Sequence, residues 1–247
     1  MWGIIPAAGK GSRIQPLAFS KELLPIVGAL EDGVRRPRAV SDYLMERFAL
    51  AGARRICMVI SPGKSDIMEY YGDSAWAASI CYAVQPRPEG LCDAIFRGLL
   101  VIDPNEPVLI GLPDTIWFPD DALSRLPHDR FSFLLFPVTQ PQFFDSVECD
   151  EQGRVMRIRV KDPGACSNWV WGAFKMPGST LKELHELWIE RGRIDEYVGT
   201  LVNAWLERGG RAWGVRAGES YFDVGTMDGY FEAMRALSAE AAGRQLA

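Results

Sequence analysis

Apolar residues along this chain gather into two kinds of run. Short, nearly unbroken runs stand at 2–7, 55–60, 79–84 and 107–111. Runs of that length, closed by turn residues, predict strands buried on both faces. Between them, apolar residues recur at helical spacing over 42–50, 64–71 and 91–102. Gly52 and the Ser61-Pro62-Gly63 turn punctuate the alternation. Strands alternating with helices predict βαβ units and a doubly wound, mostly parallel, Rossmann-like α/β sheet. The second half reads differently. Strands are expected over 131–138, 155–161, 169–175, 211–216 and 221–222, with a turn at Asp150-Glu151-Gln152-Gly153. Helices are expected over 181–191 and 196–208, and from Met227 into an Ala-rich end. Such an order predicts a mixed sheet. With no linker, repeat or low-complexity stretch, one domain is expected over 1–247, its halves meeting between 127 and 128.

Composition narrows the classes. A net charge of −5 over 247 residues provides no global basic surface, so nucleic acid is not the expected partner. No apolar stretch is long enough to span a bilayer, and no basic leader precedes the first strand, so neither membrane nor export is expected. Five cysteines, odd in number and without a C-x-x-C, suit free thiols in a reducing cytoplasm. His128 and His185 have no metal spacing and read as surface or structural residues. Trp188 and Trp205 fall where their helices would face a core.

The candidate chemistry begins right after the first strand. Gly9-Lys10-Gly11-Ser12-Arg13 supplies glycines that let backbone N–H groups approach an anion, and Arg13 and Lys21 add a planar and a mobile cation. Together they describe a phosphate site. A dinucleotide fingerprint is excluded because Ile14 stands where its third glycine would be, and a P-loop because Lys10 precedes Gly11. In open α/β sheets ligands sit beyond the carboxyl ends of strands. The Gly-rich loop, 85–93 and Asp114 all follow such ends, so they should converge.

The segment 3–26 resembles the signature of the sugar-1-phosphate nucleotidyltransferases, nearest in flavour to the glucose-1-phosphate thymidylyl- and uridylyltransferases. Ala8, Gly9, Gly11, Ser12, Arg13, Pro16, Lys21 and Pro25 carry the match, though Lys21 follows Arg13 more closely than in that family. Gln85 and Gly90 stand in a segment resembling the one that reads a pyrimidine, the alternative being a Pro-rich surface turn.

 The resemblance implies that Gln85 and Gly90 select uracil or thymine, as part of a nucleotide site that also takes in Ala8, Gly9, Gly11 and Ser12. Asp114, in Gly111-Leu112-Pro113-Asp114-Thr115, matches the family's first metal aspartate, and Asp223, in Phe222-Asp223-Val224-Gly225-Thr226, its second. Both would hold Mg²⁺, which takes hard oxygen ligands and keeps several waters. Arg13 and Lys21 would be catalytic.

In the half over 128–247 the match is looser. Lys161-Asp162-Pro163 stands where the family has E-K-P, so Lys161 is implied to meet the acceptor phosphate, while Val160 replaces the Glu. Asp145 replaces a Gly in the family's Y-G-V-V, and Gly172 matches a position lining the sugar pocket. Arg191 stands near a further family Arg. The resemblance thus implies an enzyme joining a nucleoside triphosphate, dTTP or UTP, to a sugar-1-phosphate. A homo-oligomer is compatible with it. Two alternatives stay open: the same chemistry on a non-hexose phosphomonoester such as phosphocholine, and a paralogue that binds nucleotide sugar without turnover.

Overall fold

The computed structural model describes residues 1–28, 30–31 and 34–243. The parallel core of its central sheet is built from β1 (Trp2–Pro6), β2 (Arg55–Ile60), β4 (Ala78–Val84) and β5 (Pro107–Gly111), with the short β3 (Ser74–Ala75) antiparallel at the edge. Helices α1 (Val40–Leu50), α2 (Ser65–Tyr71) and α3 (Gly90–Arg97) connect these strands. A two-residue alternation decides which layer each strand residue joins. Ile4, Cys57 and Val108 pack with Ile95 and Phe96 of α3, whereas Ile5, Met58 and Leu109 pack with Leu44 and Phe48 of α1. The sheet is therefore covered on both faces, as a doubly wound fold requires.

The second half extends the same sheet with antiparallel strands. These are β7 (Phe131–Pro137), β8 (Asp145–Cys149), β9 (Val155–Val160) and β10 (Trp169–Pro177), with β11 (Ala212–Val215) parallel to β7. The path runs β9-β8-β10-β5-β1-β2-β4-β3, and β7 with β11 branches from β10. A separate ribbon pairs β6 (Thr115–Phe118) with β12 (Ser220–Asp223). Helices α4 (Gly178–Glu190) and α5 (Val198–Glu207) cover one face, and α6 (Met227–Gly243) packs Ala233 and Leu237 against Ile14, Ile26 and Val224. The expected Ala-rich end runs past 243, outside the described residues.

Four elements depart from the expected pattern. The helix expected over 91–102 gives way after Arg97 to a 3₁₀ turn (Gly98–Val101), where Gly98 lies against Ile4. The helix expected from Glu196 starts at Val198, because the Glu196 carbonyl is taken by the backbone N–H groups of Leu91 and Cys92 at 2.8 and 3.3 Å. Strands β6 and β8 carry no alternation strong enough to reveal them: β6 forms by pairing with β12, about a hundred residues further on, and β8 by closing a hairpin with β9 across the turn at Asp150–Gly153.

Candidate active site

The turn after β1 is shaped around a lysine. Gly11 sits at φ +64°, a conformation that favours glycine, and the Lys21 side chain crosses the loop against it, 2.7 Å from where a Cβ would stand. Gly9 is exposed, with nothing within 4 Å of its own Cβ position, which leaves room for an anion against the backbone. Ala8 is buried and Ser12 exposed beside it.

Lys21 is held from two sides. Its ammonium donates to Asp114 Oδ2. Next in sequence, the Glu22 side chain turns the other way and accepts two bonds of 2.7 Å from Lys64 Nζ, which also donates to the Ala7 carbonyl at 2.6 Å. Ser20 is fixed by its N–H and Oγ to Asp66. The short segment over 20–22 is thereby bolted to the start of α2. Burial alone would lower the Lys21 pKa, but Asp114 and Glu22 outweigh it and hold the ammonium above its ordinary range. Burial likewise works to raise the Asp114 carboxyl, and Lys21 reverses this and holds it below the usual value.

The β6–β12 ribbon explains why two aspartates far apart in sequence meet. Thr115 pairs directly with Asp223, and the Val224 N–H donates to the Asp114 carbonyl at 2.9 Å. Arg13 Nη1 reaches Asp223 Oδ2 at 2.9 Å. Over Gly225, a Cβ would meet Asp114 Oδ2 and Asp223 Oδ1 at 2.9 Å each and Arg13 Nη2 at 3.0 Å, so the cradle exists only because no side chain fills it. Arg13, Lys21, Asp114 and Asp223 therefore face one point, and the close Arg13–Lys21 spacing does not separate them. Two carboxylates presenting oxygen from separate loops fit a Mg²⁺ ion that keeps waters and shares phosphate oxygens. Among the described residues no cluster of three or more acidic, His or Cys ligands competes for that role.

Beside this point lies a cavity of about 310 Å³. Lys161, Asp145 and Trp171 line it, together with Arg13, Gly90 and both aspartates. Lys161 stands at φ +45°, a sparsely populated conformation for a side-chain-bearing residue, and its Nζ lies 4.7 Å from the centre of the Tyr197 ring. Trp171 Nε1 donates to Asp145 Oδ2 at 3.3 Å. Burial pushes the Asp145 carboxyl up to about 6, with Trp171 and Lys161 pulling the other way. A second cavity of about 760 Å³ shares Arg13, Lys161, Tyr221 and Asp223 with the first.

Gln85 is buried where β4 ends, and its Nε2 donates to the Gly90 carbonyl at 3.0 Å and to Asp93 Oδ2 at 2.8 Å. Gly90 stands at φ +92°, and a Cβ there would strike the Glu196 backbone at 2.7 Å.

Other expected residues are placed elsewhere. Gly172 is buried against Phe136 and Tyr221, either of which would be 2.7 Å from a Cβ, so it sets the packing behind the cavity while Trp171 lines it. Arg191 is engaged by both carboxylate oxygens of Asp195. His185 stacks near Phe96 and Trp188, and His128 is exposed. Glu196, Tyr197 and Tyr221 line the cavity without having been singled out from sequence. For Tyr221 a signal existed: it stands two residues before Asp223 on one strand, and so on the same face.

The chain is 28% identical over 243 residues to the glucose-1-phosphate thymidylyltransferase of Mycolicibacterium smegmatis, covering 94% of this chain and 81% of that one. To the enzyme of that name from Neisseria meningitidis it is 29% identical over 246 residues, with the same coverage. Among solved structures, UTP-bound UGPase from Acinetobacter baumannii superposes with a TM-score of 0.78 at 20% identity, covering 99% of this chain and 97% of that one. A UDP-glucose pyrophosphorylase complexed with UDP-glucose gives a TM-score of 0.77 at 20% identity, with 97% and 98% covered. These two likenesses establish the fold. A family model described as nucleotidyl transferase matches residues 2–240, nearly the whole chain, and the protein belongs to that family.

Proposed function

We propose that the protein joins a nucleoside triphosphate to a sugar-1-phosphate, giving a nucleoside-diphosphate sugar and pyrophosphate. The observation that carries this reading is the meeting of the Arg13–Asp223 and Lys21–Asp114 pairs over Gly225. Names of the relatives from Mycolicibacterium and Neisseria point to the same reaction class. An acceptor phosphate oxygen attacks the α-phosphorus, and the bond from that phosphorus to the bridging oxygen breaks. Pyrophosphate leaves with the electron pair. Such a transfer asks the protein for positioning and charge neutralisation rather than covalent help.

Each residue then has a task. Lys21, stored on Asp114 in the free protein, moves to the α-phosphate as charge builds there. Arg13 neutralises the leaving pyrophosphate, and Lys161 holds the acceptor phosphate. The N–H groups around Gly9, Gly11 and Ser12 cradle the triphosphate behind Ala8. Asp114 and Asp223 would hold Mg²⁺, which supplies charge neutralisation on phosphate oxygens when bound.

Gln85 suggests which base. The Gly90 carbonyl and the Asp93 carboxylate can only accept, so both amide N–H bonds of Gln85 are spent on them. Its Oε1 accepts no hydrogen bond from the described residues and is left for the base. An acceptor there pairs with the N3–H of uracil or thymine and meets only a lone pair on cytosine N3. UTP and dTTP should accordingly be turned over well and CTP poorly.

Pyrophosphate release on mixing Mg²⁺, dTTP or UTP and glucose-1-phosphate is the direct test. Asp114→Asn and Asp223→Asn should each lower kcat at least ~100-fold, about 2.7 kcal/mol of barrier. Binding of a nucleotide sugar without any pyrophosphate release would instead favour a non-catalytic paralogue.

A further inference from the structure

Four carboxylates line the 310 Å³ cavity: Asp114, Asp145, Glu196 and Asp223. Two of them are neutralised, Asp114 by Lys21 and Asp223 by Arg13. Asp145 and Glu196 are in no salt bridge among the described residues. Asp145 Oδ2 takes the Trp171 N–H, and its Oδ1 accepts no hydrogen bond from any described residue. A half-buried carboxylate with one neutral donor is costly until something positive or donating reaches it.

The cavity holds both signs of charge. Lys161 and Arg13 are its cations, while Asp145 lies beside α5, its Oδ2 3.4 Å from the Cβ position of Gly199. Lys161 Nζ already occupies a face of the Tyr197 ring. Trp171 and Tyr221 also line the cavity, Trp171 with its indole N–H edge turned to Asp145. The cavity thus offers cations to a dianion and two carboxylates outside any salt bridge to a cation.

We propose that the acceptor is a phosphomonoester that carries a positively charged nitrogen, its phosphate held by Lys161 and Arg13 and its ammonium group by Asp145, with Glu196 at the rim. The proposal rests on the nucleotidyl-transfer reading above and names the acceptor class for it. Two kinds of molecule share that chemistry: an aminohexose 1-phosphate, whose amine is protonated at neutral pH, and a phosphorylated amino alcohol such as phosphocholine. Glu196 gives the rim a carboxylate because the backbone turns there before α5 begins, with its carbonyl tied to α3.

The test compares kcat/KM by pyrophosphate release, with dTTP or UTP and Mg²⁺, for glucose-1-phosphate, glucosamine-1-phosphate, N-acetylglucosamine-1-phosphate and phosphocholine. Wild type should favour a cationic acceptor over glucose-1-phosphate by at least about tenfold, ~1.4 kcal/mol. The N-acetyl compound, which keeps the bulk but loses the charge, should lose that advantage. Asp145→Asn, close to isosteric, should abolish the preference. Glu196→Gln at the exposed rim should weaken it without endangering the fold. Preference for glucosamine-1-phosphate upholds both readings, and preference for phosphocholine upholds the cationic acceptor while overturning the sugar. Efficient use of glucose-1-phosphate with the same acceptor ratios in wild type and Asp145→Asn overturns the proposal but leaves the transferase intact. No release with any acceptor sinks the transferase reading and this proposal with it.

Discussion

Single residues in this site do different work according to how burial and charge compete. Arg13 is more than half exposed and makes one contact to Asp223, so its value lies in the planar fork it offers to phosphate. Arg13→Lys keeps the charge and loses the fork. It should lower kcat/KM at least ~10-fold, and a near-normal value in steady-state assays would show that charge alone suffices. Asp145 gives a sharper prediction. Its carboxyl is raised from 3.8 to about 6 because burial disfavours the ionised form, with Trp171 and Lys161 opposing, and Cys92 and Tyr221 the other titratable groups beside it. A raised carboxyl pKa means that the unfolded chain ionises first as pH climbs. The cost is absent below about 4, builds between about 4 and 6, and is complete above 6. Asp145→Asn should therefore match wild type in stability near pH 4 and exceed it at pH 7, by on the order of 1–2 kcal/mol in urea unfolding without ligand. Equal stability at both pH values would mean that Asp145 is solvated well enough to ionise freely.

At the scale of elements, the loop proposed to carry Lys21 depends on a helix that does not line the cavity. Lys64, just before α2, is buried with Glu22 and also anchors Ala7 at the end of β1. Burial pushes the Glu22 acid up and the Lys64 ammonium down, and each partner offsets part of that for the other. Breaking such a pair from one side leaves an uncompensated charge. Lys64→Met should cost about 3–5 kcal/mol in chemical denaturation, and adding Glu22→Leu should recover most of it. The double variant should still show a depressed kcat with nucleotide affinity less affected, since Lys21 loses its fixed neighbour. Full activity in a stable double variant would show that the Gly11 turn alone positions Lys21. This pair also marks a limit of reading the sequence. Arg13, Lys21, Asp114 and Asp223 could be singled out because each stands in a short motif resembling one of the family's. Nothing local ties Glu22 to Lys64, 42 residues away, or Thr115 to Asp223 across the β6–β12 ribbon. Glu196 and Tyr197 were read as the start of a helix and face the cavity because α3 claims the Glu196 carbonyl. Gly172 shows the converse: its place in a motif was visible, and what its missing side chain accommodates was not.

At the scale of the whole molecule, one sheet joins two halves of different character. The parallel strands were legible as apolar runs because both faces are covered, and the antiparallel half was legible mainly where turns punctuate it. Their junction is the β5–β10 pair, five residues long from Gly111↔Ala173 to Pro107↔Pro177. No sequence pattern announces that pairing, because β5 is buried on both faces whichever neighbour it has. One apolar cluster also runs through both halves, joining Ile4, Val59 and Val108 to Phe131, Phe174 and Val202. The proposed active site lies across the junction, with Arg13 and Asp114 from one half and Lys161 and Asp223 from the other. We infer that residues 1–247 unfold as one cooperative unit, because neither half can leave the sheet without exposing the shared cluster. Calorimetry should give a single transition with equal calorimetric and van't Hoff enthalpies, on the order of 170 kcal/mol near 60 °C for a chain of this length. Phe174→Ala, in the shared cluster, should lower that one transition as a whole, by about 3–5 kcal/mol. Two resolved transitions, with the substitution shifting only one of them, would show that the halves fold independently and that the site is assembled by docking.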